Sequence, residues 1–176
     1  VPEQIISLTH SITGSRKSAV AQATAIQAWL RDTRRFHYST TAPPGTGYNV
    51  LTNFLTDTHS GYCIHFASAM ALMARIEGIP SRVSVGFLPG SQNGAQRLVK
   101  ASQMHAWPEL YFQNYGWVRF EPTAAVAQPP AWTVENPKRA APSTAPQSPE
   151  ANRSPSPSPS ASSQASPAPS PDATNH

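Results

Sequence analysis

The chain has 176 residues, with 13 Lys and Arg against 9 Asp and Glu, which gives a net charge of +4 with only 12% charged residues. So few and so scattered charges exclude the dense basic surface of a nucleic-acid-binding protein. No run approaches the roughly 18 consecutive apolar residues of a membrane-spanning helix, and no segment has the pattern of a signal peptide. We therefore expect this chain by itself to be soluble.

The two ends of the chain differ in composition. Residues 137–176 hold 10 of the 19 prolines and 10 serines, without one aromatic residue. Such a segment cannot bury a core, so we predict a disordered Pro/Ser/Ala-rich linker or tail. Residues 1–136 are enough for one folded domain without disulfide support.

The first predicted element is an amphipathic helix between residues 18 and 34. Its apolar positions recur at helical spacing, at Val20, Ala23, Ile26 and Leu30. The Pro-Pro and Gly content of residues 39–48 predicts a loop. We expect a short helix over residues 50–55 and another loop over residues 57–62.

Residues 64–77 are almost all apolar or small, which predicts a largely buried helix that ends at Gly78 before a proline stop. Cys63 lies at the first turn of this helix, where unpaired backbone N–H groups and the helix dipole favour a negative charge. It is the only cysteine in the sequence. A disulfide within the chain and a zinc site built on cysteine pairs are therefore excluded.

Four strands are predicted after the buried helix, at residues 83–87, 97–102, 105–112 and 117–121. Links this short cannot form crossovers, so the sheet should be antiparallel. Pro108 has no N–H to donate to a ladder, which predicts that it lies at an edge or a bulge.

His105 and Glu121 are the candidates to act with Cys63. A cysteine becomes a nucleophile when a helix N-terminus or an imidazolium stabilises its thiolate. The histidine in turn needs a third group to fix its tautomer and its orientation. These residue types would suit a catalytic triad, and the structural alternative for Cys63 is a small buried apolar residue.

The register of the last two strands tests this pairing. With an odd-numbered loop over residues 112–116, Tyr111 faces Trp117, and His105 lies diagonal to Glu121 within side-chain reach. An even-numbered loop would put the two on opposite faces of the sheet. An ion pair between Glu121 and a nearby arginine, Arg119 or Arg82, is the structural alternative.

Two segments then resemble a known family. The run SGYCIHFASAMALMARIEGIPSRVSVGFLPG and the later run MHAWPELYFQNYGWVRFEPT are similar to the transglutaminase-like superfamily, and more narrowly to the extracytoplasmic domain of bacterial membrane proteins of that group. The resemblance extends from about Ala19 to Thr123. It implies an α+β, papain-like fold, in which N-terminal helices and a buried helix with the cysteine at its start pack on an antiparallel sheet.

Carried over by motif, the resemblance makes Cys63 in GYC the nucleophile and His105 in HAW the base. Glu121 in RFEPT takes the third position, where aspartate is commoner in the family. Pro108 is a second departure, since a strand residue such as valine is expected there. Residues 1–136 would then be a transglutaminase-like catalytic domain.

The function implied is cysteine-dependent acyl transfer on a glutamine carboxamide or a peptide amide, through a thioester and without a metal or an organic cofactor. One alternative is a cysteine protease or amidase that uses water as the acceptor on envelope peptides. Another is a peptide-binding module without catalysis. The partner is a protein or peptide substrate, including peptides of the cell envelope, and not a nucleic acid. The expected location is extracytoplasmic, in the cell envelope, with a plasma-membrane tether in a segment outside this sequence.

Other candidates are weaker. Tyr62 and Trp107 line either the core or the substrate cleft. His65 is expected to point away from the cysteine into the core or the cleft wall, and His59 lies in a loop that approaches the cleft. A zinc site from Cys63 and three histidines fits no common ligand spacing. The backbone N–H of Cys63 would hold the oxyanion, and the sequence does not identify a second donor.

Overall fold

The computed structural model describes residues 1–42 and 47–134. The predicted tail at 137–176 and part of the predicted loop at 39–48 lie outside these ranges, and the domain boundary at 136 stays a prediction. The helices are α1 (Glu3–Thr13), α2 (Ala19–Leu30), α3 (Tyr48–Asn53) and α4 (Cys63–Ile76). The strands are β1 (His37–Tyr38), β2 (Ser60–Gly61), β3 (Ser81–Phe87), β4 (Ser91–Asn93), β5 (Gln96–Leu98), β6 (Met104–Phe112) and β7 (Gly116–Arg119).

Helix α2 confirms the first prediction, although it ends at Leu30. The side chain of Ser18 accepts a hydrogen bond from the Ala21 N–H (3.2 Å) and so caps the helix. Helix α1 was not predicted. It is rich in β-branched residues, which are poor helix formers, and its apolar face packs Ile5 fully into the core. Tertiary packing therefore stabilises this helix where local propensity does not.

Helix α4 confirms the predicted buried helix and begins at Cys63 itself. Gly78 has φ +76°, the left-handed conformation of a glycine that ends a helix. The small side chains on α4 leave room for a close approach to the sheet, and they are buried at Ala67, Ala69, Ala71 and Ala74. Close packing on both sides fixes where the first turn of this helix lies.

The main sheet has the strand order β3–β6–β7, and both pairs are antiparallel, as predicted. After the exposed Met104, the even-numbered residues of β6 are buried, at Ala106, Pro108, Leu110 and Phe112. Leu110 and Phe112 join Met70 and Met73 of α4 in one core. The prediction that residues 97–102 form the second strand of this sheet was wrong. Its first residues pair with Ser91–Asn93 in a separate hairpin, and residues 101–103 form a 3₁₀ turn.

Pro108 corrects another prediction, because it lies in the middle strand and not at an edge or a bulge. Its position faces the end of β7. The Phe120 N–H donates to the Pro108 carbonyl (3.0 Å), but proline has no N–H to return the bond. This accounts for the end of β7 at Arg119, so that Glu121 lies beyond the strand that was predicted to contain it.

The predicted loop over residues 57–62 contains regular structure. A π-helical turn spans Phe54–Thr58, directly after α3, and Ser60–Gly61 then pairs in parallel with His37–Tyr38. Two-residue strands carry almost no pattern that a sequence analysis can detect. Within the described ranges, no helix combines the length and the apolar character needed to cross a membrane.

Candidate active site

Cys63 lies where the sequence placed it, at the first turn of α4 and half-buried. Tyr62 precedes it in an extended conformation (φ −107°, ψ 179°), so the helix begins abruptly at the cysteine. The thiol therefore lies beside backbone N–H groups that the helix itself leaves unpaired.

The structure brings His105 and Glu121 together. The His105 Nε2 lies 2.8 Å from the Glu121 Oε2. The two side chains are 1% and 0% exposed, so this contact is shielded from water. A buried carboxylate at this distance fixes both the ring orientation and the tautomer of the imidazole.

The Glu121 carboxylate has two further partners. The Arg119 Nη2 donates to the same Oε2 (3.2 Å), and the Thr123 N–H donates to Oε1 (3.2 Å). The structural alternative at Glu121 is thus also present, because this carboxylate binds both an arginine and the histidine. Charged and amide donors together offset the cost of burying the carboxylate.

Helix α2 holds the main chain of Glu121 from the other side. The Gln27 Oε1 accepts a hydrogen bond from the Glu121 N–H (2.9 Å). The Arg31 Nη1 donates to the Glu121 carbonyl (2.8 Å) and also to the Ala127 carbonyl (3.0 Å). One side chain of α2 and one from the residue directly after it therefore replace the strand partner that the backbone of Glu121 lacks.

The other ring nitrogen of His105 is the one available to Cys63. Within residues 1–42 and 47–134, Nδ1 is buried and has no partner at hydrogen-bond geometry. The thiol is nevertheless close enough for the two groups to change each other's pKa. Nε2 is held by the carboxylate, so Nδ1 is the ring nitrogen left for an interaction with the Cys63 thiol.

The pKa values of the two groups move apart. Burial raises the pKa of the Cys63 thiol, but the His105 side chain and the N–H groups of Ala106 and Ile64 outweigh burial and hold that pKa below its ordinary value. Burial lowers the pKa of His105, but Cys63 and Glu121 outweigh it and raise that pKa to about 9. Both shifts favour a thiolate–imidazolium pair over a neutral thiol beside a neutral imidazole.

A cavity of about 470 Å³ opens over this pair. Its lining residues include Tyr38, Tyr62, Cys63, Met104, His105 and Ala106. Trp107 has a different environment. Its ring lies under the Arg119 guanidinium (4.2 Å from the ring centroid) and against Gly86, where an added Cβ would come within 2.7 Å of the indole. The predicted cleft roles of Tyr62 and Trp107 stay predictions.

His59 and His65, the other two histidines weighed for this site, pack against aromatic rings. His65 is buried, as predicted, and its ring packs against Tyr62 (4.6 Å between centroids) and Phe54 (5.7 Å). His59 packs on Phe36 (5.2 Å between ring centroids). In the part of the chain that the structure describes, no cluster of three or more His, Cys, Asp or Glu side chains has a geometry that would hold a metal ion.

Three residues of this site were missed by sequence reasoning. Tyr38 lines the cavity, and Gln27 and Arg31 hold Glu121 in place. A buried glutamine on the apolar face of α2 was a usable signal, because such a group needs a partner. Phe36 and Tyr38 are aromatic residues at alternate positions in the segment between the predicted helix and the predicted loop. This spacing was a weaker signal of a strand.

The model of the transglutaminase-like superfamily matches residues 6–122. The chain belongs to this superfamily. The match begins within α1, so the relationship extends further toward the N-terminus than the motifs indicated. The papain-like α+β fold expected from the resemblance is confirmed.

Two individual proteins are similar to this chain in sequence. A protein-glutamine gamma-glutamyltransferase of Pseudomonas aeruginosa is 40% identical over 117 residues, which cover 63% of this chain and 17% of that protein. The protein YebA of Bacillus subtilis is 31% identical over 146 residues, which cover 78% of this chain and 20% of that protein. This chain therefore spans no more than a fifth of the length of either relative.

A solved structure shows the same fold. The crystal structure of the periplasmic domain of TgpA from Pseudomonas aeruginosa, bound to ethylmercury, matches with a TM-score of 0.61 at 33% identity. The match covers 72% of this chain and 47% of that one.

Proposed function

We propose that this domain catalyses acyl transfer from a glutamine carboxamide, with Cys63 as nucleophile, His105 as acid and base, and Glu121 as the residue that orients the histidine. The observation that carries the proposal is the fully buried 2.8 Å contact between His105 and Glu121, with the other face of the imidazole toward the thiol at the start of α4. The name of the Pseudomonas relative supports the choice of carboxamide.

In the first half-reaction the thiolate adds to the carboxamide carbon, and the C=O electron pair moves to the oxygen to give an oxyanion. When this intermediate collapses, the C–N bond breaks and His105 gives its proton to the departing nitrogen. Ammonia and a thioester on Cys63 result, and His105 is left neutral.

In the second half-reaction an amine attacks the thioester, neutral His105 accepts a proton from the amine, and the Cys63 thiolate leaves. The product is a secondary amide, and both catalytic groups return to their starting charges. Water in place of the amine gives a carboxylic acid and makes the enzyme a hydrolase. The same residues serve both outcomes, and the transferase name of the relative favours the amine.

The proposed location is extracytoplasmic, with protein or peptide substrates that include cell-envelope peptides and with a membrane tether outside this chain. The related structure is that of a periplasmic domain, which supports the location. A cavity that exposes one thiol to a chain-like substrate is consistent with such partners.

The first test is the pH dependence of Cys63 alkylation by iodoacetamide. Because Cys63 is the only thiol, the signal has one source. Labelling should stay fast well below the pKa of about 8.5 of an ordinary thiol. The His105→Ala variant should lose this low-pH reactivity, and His59→Ala, the matched control, should keep it. Labelling like that of an ordinary thiol in the wild type would refute the activated nucleophile.

The second test mixes a fluorescent primary amine with a glutamine-containing peptide. Stable amine incorporation that Cys63→Ala abolishes supports transfer, whereas a free carboxylate alone indicates hydrolysis. The rate should fall as pH rises through about 9, because His105 then loses the proton that it must donate. If an activated thiol produces neither product from any peptide, the domain is a binding module.

A further inference from the structure

Tyr38 is held beside the nucleophile by strands β1 and β2. The pairing places Tyr38 opposite Gly61, two residues before Cys63. Hydrogen bonds from the His37 N–H to the His59 carbonyl and from the Ser39 N–H to the Gly61 carbonyl, both 2.9 Å, fix the strand on either side of the tyrosine. The short sheet thus positions one phenol at the start of α4.

The packing of β2 against α4 is tight. A Cβ on Gly61 would come within 2.8 Å of the His65 Cβ, so the glycine allows β2 to lie directly on the first turn of the helix. This close approach brings the partner strand, and Tyr38 with it, to the wall of the cavity that contains Cys63.

The phenol also interacts with the backbone of the nucleophile. Burial raises the pKa of Tyr38, and the negative charge of Cys63 raises it further, whereas the Cys63 N–H is close enough to the phenol oxygen to lower it. The sum is a raised pKa, so the phenol stays protonated and able to donate a hydrogen bond at neutral pH. Tyr38 is still 38% exposed, which leaves the ring free to adjust to a substrate.

Acyl transfer needs hydrogen-bond donors where negative charge develops on the carbonyl oxygen. The Cys63 N–H supplies one. We propose that the Tyr38 hydroxyl is the second donor, so that the oxyanion formed on Cys63 lies between this backbone N–H and the phenol. This inference rests on the proposed function, because it assigns a partner for the oxyanion of that reaction.

Tyr62, the other tyrosine of the cavity, is less suited to this role. It is the residue before α4, and its ring packs edge-on against His65 at 4.6 Å between centroids. The Tyr38 phenol, in contrast, lies close to the Cys63 N–H, and two donors must lie close together to bind the same oxyanion.

The test compares two reactions of the same thiol in the Tyr38→Phe variant. Iodoacetamide alkylates the thiolate by displacing iodide, and no oxyanion forms. p-Nitrophenyl acetate acylates it through a tetrahedral oxyanion that collapses by expelling p-nitrophenolate, which leaves without a proton from His105. Tyr115→Phe, at the exposed turn between β6 and β7, is the matched control.

We expect Tyr38→Phe to slow acylation by on the order of 10² and to leave the rate and pH profile of alkylation unchanged. Equal slowing of both reactions would overturn the proposal, because Tyr38 would then act on the thiolate. Unchanged or faster acylation would overturn it as well, and a faster rate would mark the phenol as an obstruction. If wild-type Cys63 alkylates like an ordinary thiol, the proposed function fails too, and this result identifies that failure separately.

Discussion

Two glutamate–arginine pairs have their arginines on strands of the main sheet, and in each pair the arginine stacks on a tryptophan. In the inner pair, Arg119 binds Glu121 at 3.2 Å and lies 4.2 Å from the ring centroid of Trp107. In the outer pair, Arg82 binds Glu109 at 2.7 Å and lies 4.3 Å from that of Trp117. The composition is the same, and the outer pair has the shorter contact.

The pairs differ in burial and in their third partner. Glu121 is fully buried and also binds His105, whereas the Glu109 side chain is 20% exposed and binds the indole N–H of Trp107 at 3.4 Å. Solvent screens the outer pair, but the charge of Glu121 acts on an imidazole that is as buried as the carboxylate itself. Contact distance alone therefore does not distinguish the carboxylate of the proposed active site from the one outside it.

The largest effect is expected from removing the inner negative charge. Glu121→Gln keeps the side-chain length but removes the carboxylate charge beside His105, so the pKa of His105 falls and that of Cys63 rises. We expect amine incorporation to drop by about 10²- to 10⁴-fold and low-pH alkylation to be lost. The same change in the outer pair, Glu109→Gln, should leave both readouts unchanged. Equal losses in the two variants would refute the distinction.

Glu121→Asp separates charge from reach. The carboxylate stays negative but is one methylene shorter, so the 2.8 Å contact with His105 cannot form without a backbone shift. The main chain of Glu121 is held by Gln27 and Arg31, which opposes that shift. We expect about a tenfold loss in kcat, smaller than in the glutamine variant, with KM unchanged. Wild-type kcat in this variant would show that the charge alone is sufficient.

Arg119→Met tests whether the inner arginine moderates the histidine. Without this cation, the carboxylate charge acts on His105 alone, so the imidazolium is more stable and its pKa rises. The alkaline limb of the rate profile should move above about 9, with a loss of only a few-fold at neutral pH. Arg82→Met is the control with no expected shift. A downward shift of the limb would contradict the argument.

The smallest expected effect is the loss of folding stability when the outer ion pair between Arg82 and Glu109 is removed. A pair with an arginine side chain that is 52% exposed is worth about 0.2–1 kcal/mol, and added salt reduces that value. The free energy of unfolding of Arg82→Met should therefore lie within about 1 kcal/mol of wild type in urea denaturation, with a difference that shrinks as salt is added. A larger loss that salt does not change would point to the packing of the arginine on Trp117.

The contrast also shows what a sequence can reveal of this site. Cys63 was predictable because the apolar run after it defines a helix start, and the pairing of His105 with Glu121 followed from strand parity. Tyr111 does face Trp117 in the structure. These features depend on local periodicity, which can be read from the sequence itself.

What was missed depends on distant contacts. Helix α1 is stabilised by burial of Ile5, and strands β1 and β2 exist only as partners of each other. Gln27 and Arg31 contact Glu121 only because the fold brings together residues that are 94 and 90 positions apart in the sequence. A local pattern can mark Gln27 as a polar residue on an apolar face that needs a partner, but it does not identify the distant residue that is the partner.

Pro108 and Glu121 were noted separately as departures from the family pattern, and the fold makes them neighbours. Proline at 108 ends the ladder at Phe120, one residue before the glutamate. The main chain at 121 is therefore positioned by Gln27 and Arg31 and not by a strand partner, and this position is the one from which the longer glutamate reaches His105. Among related chains the two positions should evolve as a unit, each substitution tolerated in the background of the other.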